Sequence, residues 1–454
     1  MKDQWGERLP RTLGLFNAIT ILIGVTIGSG IFRVPATVAD KLHDPRLIIL
    51  CWLLGGVIVL CGALTLGELA AALPRSGGIF AYLLESFGPL PAFVFGWTEL
   101  VVIRASALGA SATIFAEYLG YFIPLSAAEV RYVAAAAIVV IGAINYLGVQ
   151  RAAAVMSVAT SAKYAAVLVL GLLAYTAASG SFAHFHPTGS LGGGPIGIGA
   201  GGLALLTGAL VPVMWTYDGW ADLSFMGGEV RNPQRTLPLA LVLGTSCVVV
   251  VYLIANLGFL YLFAPDQMGG MKLIAAEAAE RIPLLAGFGA QVVAGIVVVS
   301  AFSGLNGSMM TGPRIFFAMA DQGLFFKAVA RVSPRFQSPS VAISLATVLG
   351  VAYVLENDFA ELADRFVLGI WPFYALAVAG VFVLRRTRPE LPRPYRVPGF
   401  PWVPGLFLLA SVGLIGGSLW SDPKNTGVTF AIIAAGVPVY SLWKRWNNMG
   451  HAPP

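Results

Sequence analysis

The first long apolar segment contains a glycine-rich interruption, which reads Gly24-Val25-Thr26-Ile27-Gly28-Ser29-Gly30-Ile31-Phe32. The segment runs from about residue 13 to residue 38, which is long enough to cross a bilayer as a helix. In mid-span, Gly28 and Gly30 each weaken a helix by roughly 1 kcal/mol relative to alanine. Glycine also lets a small molecule approach the backbone. The sequence therefore predicts a break in this helix.

Two interpretations of the break stay open. If the helix unwinds, amides at residues 28–30 have no intrahelical partner, and the positive end of the next half-helix points at the gap. Such a place suits a carboxylate. The alternative is close helix packing through Gly28 and Gly30, which is common in membranes.

The composition indicates an integral membrane protein built of helices. Of the 454 residues, 57% are hydrophobic and 11% are charged, whereas soluble domains carry about 25% charged residues. The apolar runs are continuous, unlike the alternating strands of a membrane barrel. The polar N-terminal segment, with no cleavage site after the first apolar run, predicts an uncleaved first span. The surplus of Lys and Arg reports topology and gives no indication of nucleic-acid binding.

Run lengths predict about twelve spans. They lie near residues 13–38, 47–72, 89–118, 130–147, 152–177, 200–229, 237–263, 285–320, 340–355, 362–384, 402–420 and 427–443. If both termini are cytoplasmic, the cytoplasmic segments hold about 17 Lys and Arg residues and the outer segments about 7. The positive-inside rule expects this asymmetry, so we predict cytoplasmic N- and C-termini.

A second interruption lies in the sixth span and reads Gly208-Ala209-Leu210-Val211-Pro212-Val213-Met214-Trp215-Thr216-Tyr217-Asp218-Gly219-Trp220-Ala221-Asp222. Pro212 lacks the donor for a helical hydrogen bond, and Asp218-Gly219 is typical of a turn. We predict that Asp218 caps a half-helix that begins at Gly219; the alternative is that it faces a substrate ammonium.

The two breaks lie five spans apart, so the two halves have opposite orientations. Interrupted helices in corresponding positions of two halves indicate an inverted-repeat transporter with its site at the midplane. This pairing favours a ligand site over simple packing. Trp215, Tyr217 and Trp220 flank the second break, and we predict that they wall a pocket, with Trp215 covering the bound solute.

One lysine lies near the bilayer centre. Lys163 is about 12 residues, or roughly 18 Å along a helix, from Arg151. A charge at that depth needs a partner or water. We predict that its ammonium docks on carbonyls freed by the first break, in place of a bound sodium ion, and that it could release a proton during the transport cycle. Structural pairing with an acidic residue of the bundle is the alternative.

The other polar groups at membrane depth indicate no enzyme, metal site or cofactor. Glu99 and Arg104 are five residues apart, so we expect each to pair with another helix. Cys51, Cys61 and Cys247 lie in apolar runs without metal-ligand spacing and are predicted to be small buried hydrophobes. No nucleophile–base pair is apparent.

A set of short motifs extends over nearly the whole chain. They are Leu9-Pro10-Arg11, Ile27-Gly28-Ser29-Gly30-Ile31-Phe32, Gly67-Glu68-Leu69, Pro74-Arg75-Ser76-Gly77-Gly78, Trp97-Thr98-Glu99-Leu100, Ile103-Arg104, Tyr217-Asp218-Gly219-Trp220, Glu229-Val230-Arg231-Asn232-Pro233, Leu305-Asn306-Gly307-Ser308, Gly312-Pro313-Arg314, Pro389-Glu390-Leu391 and Arg393-Pro394-Tyr395. In this order they resemble the amino acid–polyamine–organocation (APC) transporters, and within them the L-type amino acid transporter branch.

The resemblance implies an all-α membrane fold with a five-plus-five inverted repeat (LeuT-like) in a single transmembrane domain, residues 1–454. The first repeat would occupy residues 1–178, the second 199–385, and two trailing helices 402–443. Amino acid binding is implied between the breaks of spans 1 and 6.

The resemblance also implies roles for particular residues. Amides at residues 28–30 would bind the substrate carboxylate, and carbonyls near residue 27 and at residues 215–218 its ammonium. Lys163 matches the lysine at the sodium position of sodium-coupled relatives, which argues against sodium coupling. The predicted binding residues are Thr26, Ile27, Gly28, Ser29, Gly30, Trp215, Thr216, Tyr217, Asp218 and Gly219.

Two departures from the family pattern matter. Eukaryotic L-type members carry a cysteine between spans 3 and 4 that links a glycoprotein, and the loop from about Gly120 to Arg131 has none. We therefore expect no covalently linked heavy subunit and a bacterial inner-membrane location. Ala105 replaces a proline that many relatives have, which leaves the shape of span 3 open.

The sequence thus predicts a sodium-independent secondary active amino acid transporter that works by alternating access. Neutral L-amino acids are the first choice, because Thr26 and Ile27 at the first break carry no charge. A cationic amino acid or polyamine, with Asp218 as its partner, is the alternative. A membrane sensor or channel is the rival class, but no signalling domain, pore helix or charged ring is evident. Exchange, proton symport and uniport all fit Lys163.

Overall fold

The protein is described by a computed structural model over residues 11–28, 30–148, 163–186, 200–271, 273–336 and 338–449. Within these ranges the chain is helical and forms no β-strand. Eight described helices are long and apolar enough to cross a membrane, and four shorter apolar helices accompany them. Each predicted span contains one of these helices, so the all-α membrane fold with about twelve spans is confirmed.

The first half of the chain contains α1 (Leu15–Thr26), α2 (Val34–Leu42), α3 (Pro45–Ala72), α4 (Ile79–Phe87), α5 (Pro89–Thr98), α6 (Arg104–Leu119), α7 (Ala127–Tyr146) and α8 (Lys163–Thr176). The second half contains α9 (Ala200–Tyr217), α10 (Pro233–Leu262), α11 (Pro265–Met268), α12 (Ile274–Arg281), α13 (Gly289–Asp321), α14 (Ser340–Glu356), α15 (Phe359–Thr387), α16 (Trp402–Ser421) and α17 (Pro423–Met449).

Several helix starts follow from local sequence. Asp44 precedes Pro45 and accepts a hydrogen bond from the amide of residue 46, so it caps α3. Capping boxes start α7 and α15, where Ser126 pairs with Glu129 and Asp358 with Glu361. These caps satisfy amides that the first turn of a helix leaves without partners.

The two broken spans lie side by side and antiparallel. The amides of Thr12 and Leu13, before α1, donate to the carbonyl of Glu229, in the segment after α9, at 2.9 and 3.0 Å. At the other end, Lys41 Nζ donates to the carbonyl of Gly208 at 3.1 Å. In addition, α1 packs against α10 and α9 against α3, which are equivalent pairs when the two halves are exchanged. This is the packing expected of an inverted repeat.

Glycines on α3 allow the second half of the chain to approach closely. A Cβ built on Gly62 would lie 2.5 Å from Cη2 of Trp220 and 2.7 Å from the ring of Phe407. Side chains in a packed interior cannot yield that much space without strain. The position of α3 against the second break therefore depends on glycine at position 62, which has no side chain.

We predict that Gly62→Leu lowers the free energy of unfolding by about 1–3 kcal/mol or more, because the added side chain overpacks this contact. Thermal unfolding of detergent-solubilised protein, followed by tryptophan fluorescence, measures the effect. Gly405→Leu is the matched control, because a Cβ there meets no atom within 4 Å. Equal melting temperatures for the two variants would contradict the prediction.

Candidate functional site

The first break lies between α1 and a 3-10 turn, Gly30–Phe32. The helix ends at Thr26, and Ile27 leaves the helical region with φ −74° and ψ 79°. The amides that start the new segment have no intrahelical acceptors, and their partial positive charge faces the gap. Ser29, which we expected to contribute an amide, lies outside the described residues.

The second break follows Tyr217, the last residue of α9. Gly219 turns the chain with φ 102°, a backbone conformation that favours glycine. The predicted half-helix beginning at Gly219 is wrong, because two short 3-10 turns, Asp222–Phe225 and Gly227–Glu229, take its place. Consecutive glycines in this segment make a longer α-helix unfavourable.

Asp218 lies at the second break and does not cap a helix. Its Oδ1 accepts a hydrogen bond of 2.8 Å from the hydroxyl of Tyr374 on α15. The N-cap of the following turn is Ala221, which offers no side-chain acceptor. The capping interpretation of Asp218 is therefore wrong, and its carboxylate is available to the cavity described below.

The two breaks contact each other directly. A Cβ on Gly30 would lie 2.8 Å from Oγ1 of Thr216, and a Cβ on Gly219 would lie 2.9 Å from the amide nitrogen of Thr26. A Cβ on Gly28 would meet nothing nearer than 3.9 Å. Close packing thus explains Gly30 and Gly219, whereas Gly28 leaves open space. At the first interruption, close packing therefore accounts for Gly30, whereas the open space expected of a ligand site is found at Gly28.

A cavity of about 50 Å³ lies between the breaks, which is room for roughly four water molecules. Six of the predicted binding residues line it: Thr26, Gly28, Gly30, Trp215, Thr216 and Asp218. Ile27, Tyr217 and Gly219 are not in its lining, and Ser29 is not described. Lining residues that sequence analysis did not place there include Arg104, Ser111, Asp222, Ser308, Phe366 and Ile370.

Glu99 and Arg104 pair with each other, which corrects the expectation that each pairs with another helix. Span 3 contains a π-helical turn, Glu99–Ile103, between α5 and α6. A π turn closes hydrogen bonds between residues five apart and so places these two side chains together. Arg104 Nε donates to Glu99 Oε1 at 2.8 Å, and both side chains are buried. The only feature of the sequence that indicated this pair was the spacing of five residues, which suits a π turn.

Acidic groups outnumber basic groups around the described part of the cavity. Asp218 and Asp222 line it together with one guanidinium, that of Arg104, which is already paired with Glu99. Asp222 Oδ2 accepts a hydrogen bond of 2.7 Å from the hydroxyl of Thr311. Because buried carboxylates need compensation, this arrangement favours a cationic group on a bound molecule.

Aromatic residues cover one side of the cavity. The ring of Trp215 makes edge contacts with Phe359 and Phe366, at centroid distances of 6.2 and 5.0 Å. The guanidinium of Arg33, just after the first break, lies 4.3 Å from the centroid of Phe359 and pairs with Glu117. The cover therefore joins spans 1, 3, 6 and 10.

Ion pairs join the elements on the other side of the breaks. Glu229, after the second break, receives a hydrogen bond of 2.7 Å from Nε of Arg314 on α13. Glu68 on α3 pairs with Arg385 at 2.6 Å and with Arg393 at 3.5 Å. The cavity thus lies between an aromatic cover and a set of charged contacts.

Lys163 donates a hydrogen bond to the carbonyl of Gly24 and is fully buried. Gly24 lies in the last turn of α1, where carbonyls have no intrahelical partner. A tethered ammonium therefore neutralises the partial negative charge at this helix end.

The fold defines a multi-pass membrane protein with a cavity between two broken helices. A profile of the family described as "Amino acid permease" matches residues 13–443. The chain belongs to this family, so the resemblance to the APC transporters is confirmed. It is an amino acid transporter and not an enzyme.

Three relatives illustrate the range of the family. The chain is 31% identical to the b(0,+)-type amino acid transporter 1 of Mus musculus, over 91% of this chain and 84% of that protein. It is 29% identical to the serine/threonine exchanger SteT of Bacillus subtilis (strain 168), over 96% and 98%. It is 31% identical to the cystine/glutamate transporter of Homo sapiens, over 97% and 87%.

We predict that Arg104→Met destabilises the protein by about 3–5 kcal/mol, because it leaves Glu99 buried without its partner. The double variant Glu99→Gln/Arg104→Met should regain much of that loss, since residue 99 then carries no unpaired charge. Melting temperatures in detergent compare the variants, with the exposed Arg331→Met as the control. A double variant as unstable as Arg104→Met would show that the pair does not act as a unit.

Proposed function

We propose that the protein is a sodium-independent secondary active transporter that exchanges neutral L-amino acids by alternating access. The observation that carries this proposal is the convergence of opposite helix ends on one cavity. The amide end at Gly30 carries partial positive charge, and the carbonyl ends of α1 and α9 carry partial negative charge. A zwitterion has the complementary carboxylate and ammonium.

The substrate carboxylate is assigned to the amides that begin at Gly30, and the ammonium to carbonyls near Ile27 and at residues 215–218. The Gly28 amide donates to the Thr26 carbonyl at 2.7 Å, so these two groups must separate before either can bind substrate. Thr26, Gly28, Gly30 and Thr216 all line the cavity. Broken helices that bind ligand groups through free backbone atoms are a recurrent solution in transporters. Ile27 and Tyr217, which are not in the lining, take supporting roles in this proposal.

The side chain of the substrate is proposed to be small and neutral. The cavity is only about 50 Å³, and Ser111 and Ser308 add uncharged polar groups to its lining. The name of the Bacillus subtilis relative, a serine/threonine exchanger, agrees with a small neutral substrate and with exchange as the mode of transport.

Independence from sodium is inferred from Lys163. Its ammonium donates a hydrogen bond to the carbonyl of Gly24. Because it is covalently attached to the chain, this cation cannot dissociate. A sodium ion would need carbonyl oxygens of this kind, and a neighbouring fixed charge would repel it. A proton remains a candidate co-substrate.

Transport requires the cavity to open alternately to each side of the membrane. Opening past Trp215 would separate it from Phe359 and Phe366, and opening on the opposite side would separate Glu229 from Arg314. We place the Glu229 side in the cytoplasm, together with both termini, because the segments on that side carry most of the Lys and Arg residues.

We further propose that the protein works in an inner membrane without a covalently linked heavy subunit. The connection from α6 to α7 contains no cysteine, and the chain has three cysteines in all, Cys51, Cys61 and Cys247. Cys51 and Cys61 are buried in α3 and Cys247 is partly buried in α10, so none of the three thiols lies in that loop.

We predict that purified protein in liposomes takes up radiolabelled serine or alanine only when unlabelled amino acid is present inside. Uptake should be unchanged when potassium replaces sodium, because Lys163 fills the place of a bound cation. Empty liposomes are the control. Uptake that requires sodium would contradict the proposal, and uptake driven by an inward proton gradient would make Lys163 the first candidate for coupling. No uptake of any neutral amino acid would refute a neutral substrate.

A cationic amino acid is a second candidate, which the surplus of carboxylates in the described cavity lining favours. If so, Asp218→Asn should raise the KM for arginine or lysine by at least about tenfold, since a charge-assisted contact is lost. Exchange assays in liposomes measure this effect, with Asp364→Asn on α15 as a control outside the cavity lining. An equal effect on neutral substrates would show that Asp218 has a structural role through Tyr374.

A further inference from the structure

An apolar groove of about 550 Å³ lies between α3 and α16, away from the cavity at the two breaks. We call it the α3–α16 groove, and its lining consists of Cys61 on α3 and Trp402, Val403, Gly405, Leu406 and Leu409 on α16. A Cβ on Gly405 would meet no atom within 4 Å, so this glycine contributes to the open space. Leu406 and Leu409 are exposed, which places the groove on the outside of the bundle. Because lipid tails are as apolar as this lining, an acyl chain matches it in chemistry.

The opposite face of α16 is packed against the second broken helix. Phe407 is fully buried, and its ring centroid lies 5.9 Å from that of Trp220 and 5.4 Å from that of Trp371. Leu414 continues this buried face two turns further along the helix. The groove is therefore formed by the outward face of a helix whose inward face supports the second break.

A polar segment of the chain is held at one end of the groove. Glu68 lies seven residues after Cys61, so both side chains are on the same face of α3, roughly 10 Å apart along its axis. Glu68 Oε2 accepts a hydrogen bond of 2.8 Å from the amide of Val397, and Glu68 Oε1 lies 3.5 Å from Nε of Arg393. Glu68 thus fixes the segment before α16 at the end of the groove where Trp402 begins that helix.

This end of the groove carries positive charge that the protein does not compensate. Arg386 and Arg396 are exposed, and within the described ranges neither makes an ion pair or a hydrogen bond. Arg396 directly precedes Val397, which the carboxylate of Glu68 holds. Trp402 is 82% exposed, and an exposed tryptophan at a span end is typical of the headgroup level of a bilayer. A negatively charged headgroup complements these side chains.

We propose that the α3–α16 groove binds one acyl chain of an anionic phospholipid, whose phosphate contacts Arg396 and the indole N–H of Trp402. A zwitterionic phospholipid has the same chains and the same phosphate, but its amine brings a positive charge close to Arg396. The net negative charge of the headgroup therefore decides which lipid is preferred. The inference does not depend on which molecule the protein transports.

Native mass spectrometry of the detergent-solubilised protein tests this site. Phosphatidylglycerol and phosphatidylcholine with identical acyl chains are titrated separately, and we expect one phosphatidylglycerol to be retained more tightly than phosphatidylcholine. Arg396→Gln should weaken retention of phosphatidylglycerol by about fivefold, because one cationic contact near the membrane surface is lost. Arg445→Gln is the matched control, since Arg445 is exposed near the end of α17 and lies outside the groove lining.

The acyl-chain part of the site is tested by a second pair of variants. Leu409→Asn places a polar group in the groove and should weaken retention of phosphatidylglycerol by at least about fivefold. Val412→Asn is its control, because Leu409 and Val412 are 70% and 69% exposed on the same helix and Val412 is not in the groove lining. The control should retain the lipid within about twofold of the wild type.

Four results would overturn the proposal. They are equal retention of the two lipids, unchanged retention in Arg396→Gln, equal losses in Arg396→Gln and Arg445→Gln, and equal losses in Leu409→Asn and Val412→Asn. Lipid-free dimers that Leu409→Asn dissociates would also overturn it, because a second copy of the chain would then cover the groove.

Discussion

A backbone carbonyl that is freed in the middle of a membrane must find its donor inside the protein, because lipid supplies none. Three side chains meet this requirement at the two breaks. Lys163 donates to Gly24, Tyr252 reaches both Thr26 and Thr216, and the hydroxyl of Ser300 lies 3.4 Å from the carbonyl of Gly28. The donors come from spans 5, 7 and 8, so the packing of the whole bundle is needed to keep two helices open.

The same constraint explains the charged groups within the spans. A buried arginine or glutamate persists only when its partner is adjacent, and removal of one partner costs far more than the pair contributes. The π turn in span 3 brings Glu99 and Arg104 together within one span. Arg314 on α13 pairs with Glu229, which lies in the segment after the second break. The first pair stabilises the wall of the cavity, whereas the second joins elements whose relative position must change if the cavity is to open.

Different interactions lie on the two sides of the cavity. Aromatic edge contacts around Trp215, with Arg33 over Phe359, form one boundary, and ion pairs of Glu68 and Glu229 form the other. Aromatic contacts contribute about 0.5–1.5 kcal/mol each beyond burial, whereas the Glu229–Arg314 pair is buried, so separating its two partners costs more. Opening of the two sides therefore requires breaking interactions of different strength.

The sequence by itself determined the class of fold and the positions of both breaks. Apolar run lengths set twelve spans, and Gly28, Gly30, Pro212 and the Asp218-Gly219 pair marked the interruptions, since both signals are local properties of the chain. Tertiary structure decided which groups meet at the breaks. Spacing alone could not show that Asp222 and Arg104 reach the cavity or that Tyr374 binds Asp218, because those contacts join residues over a hundred positions apart or depend on a single π turn. The contacts of the Tyr252 hydroxyl with two carbonyls had no local signal, because residues 26, 216 and 252 meet only in the folded protein.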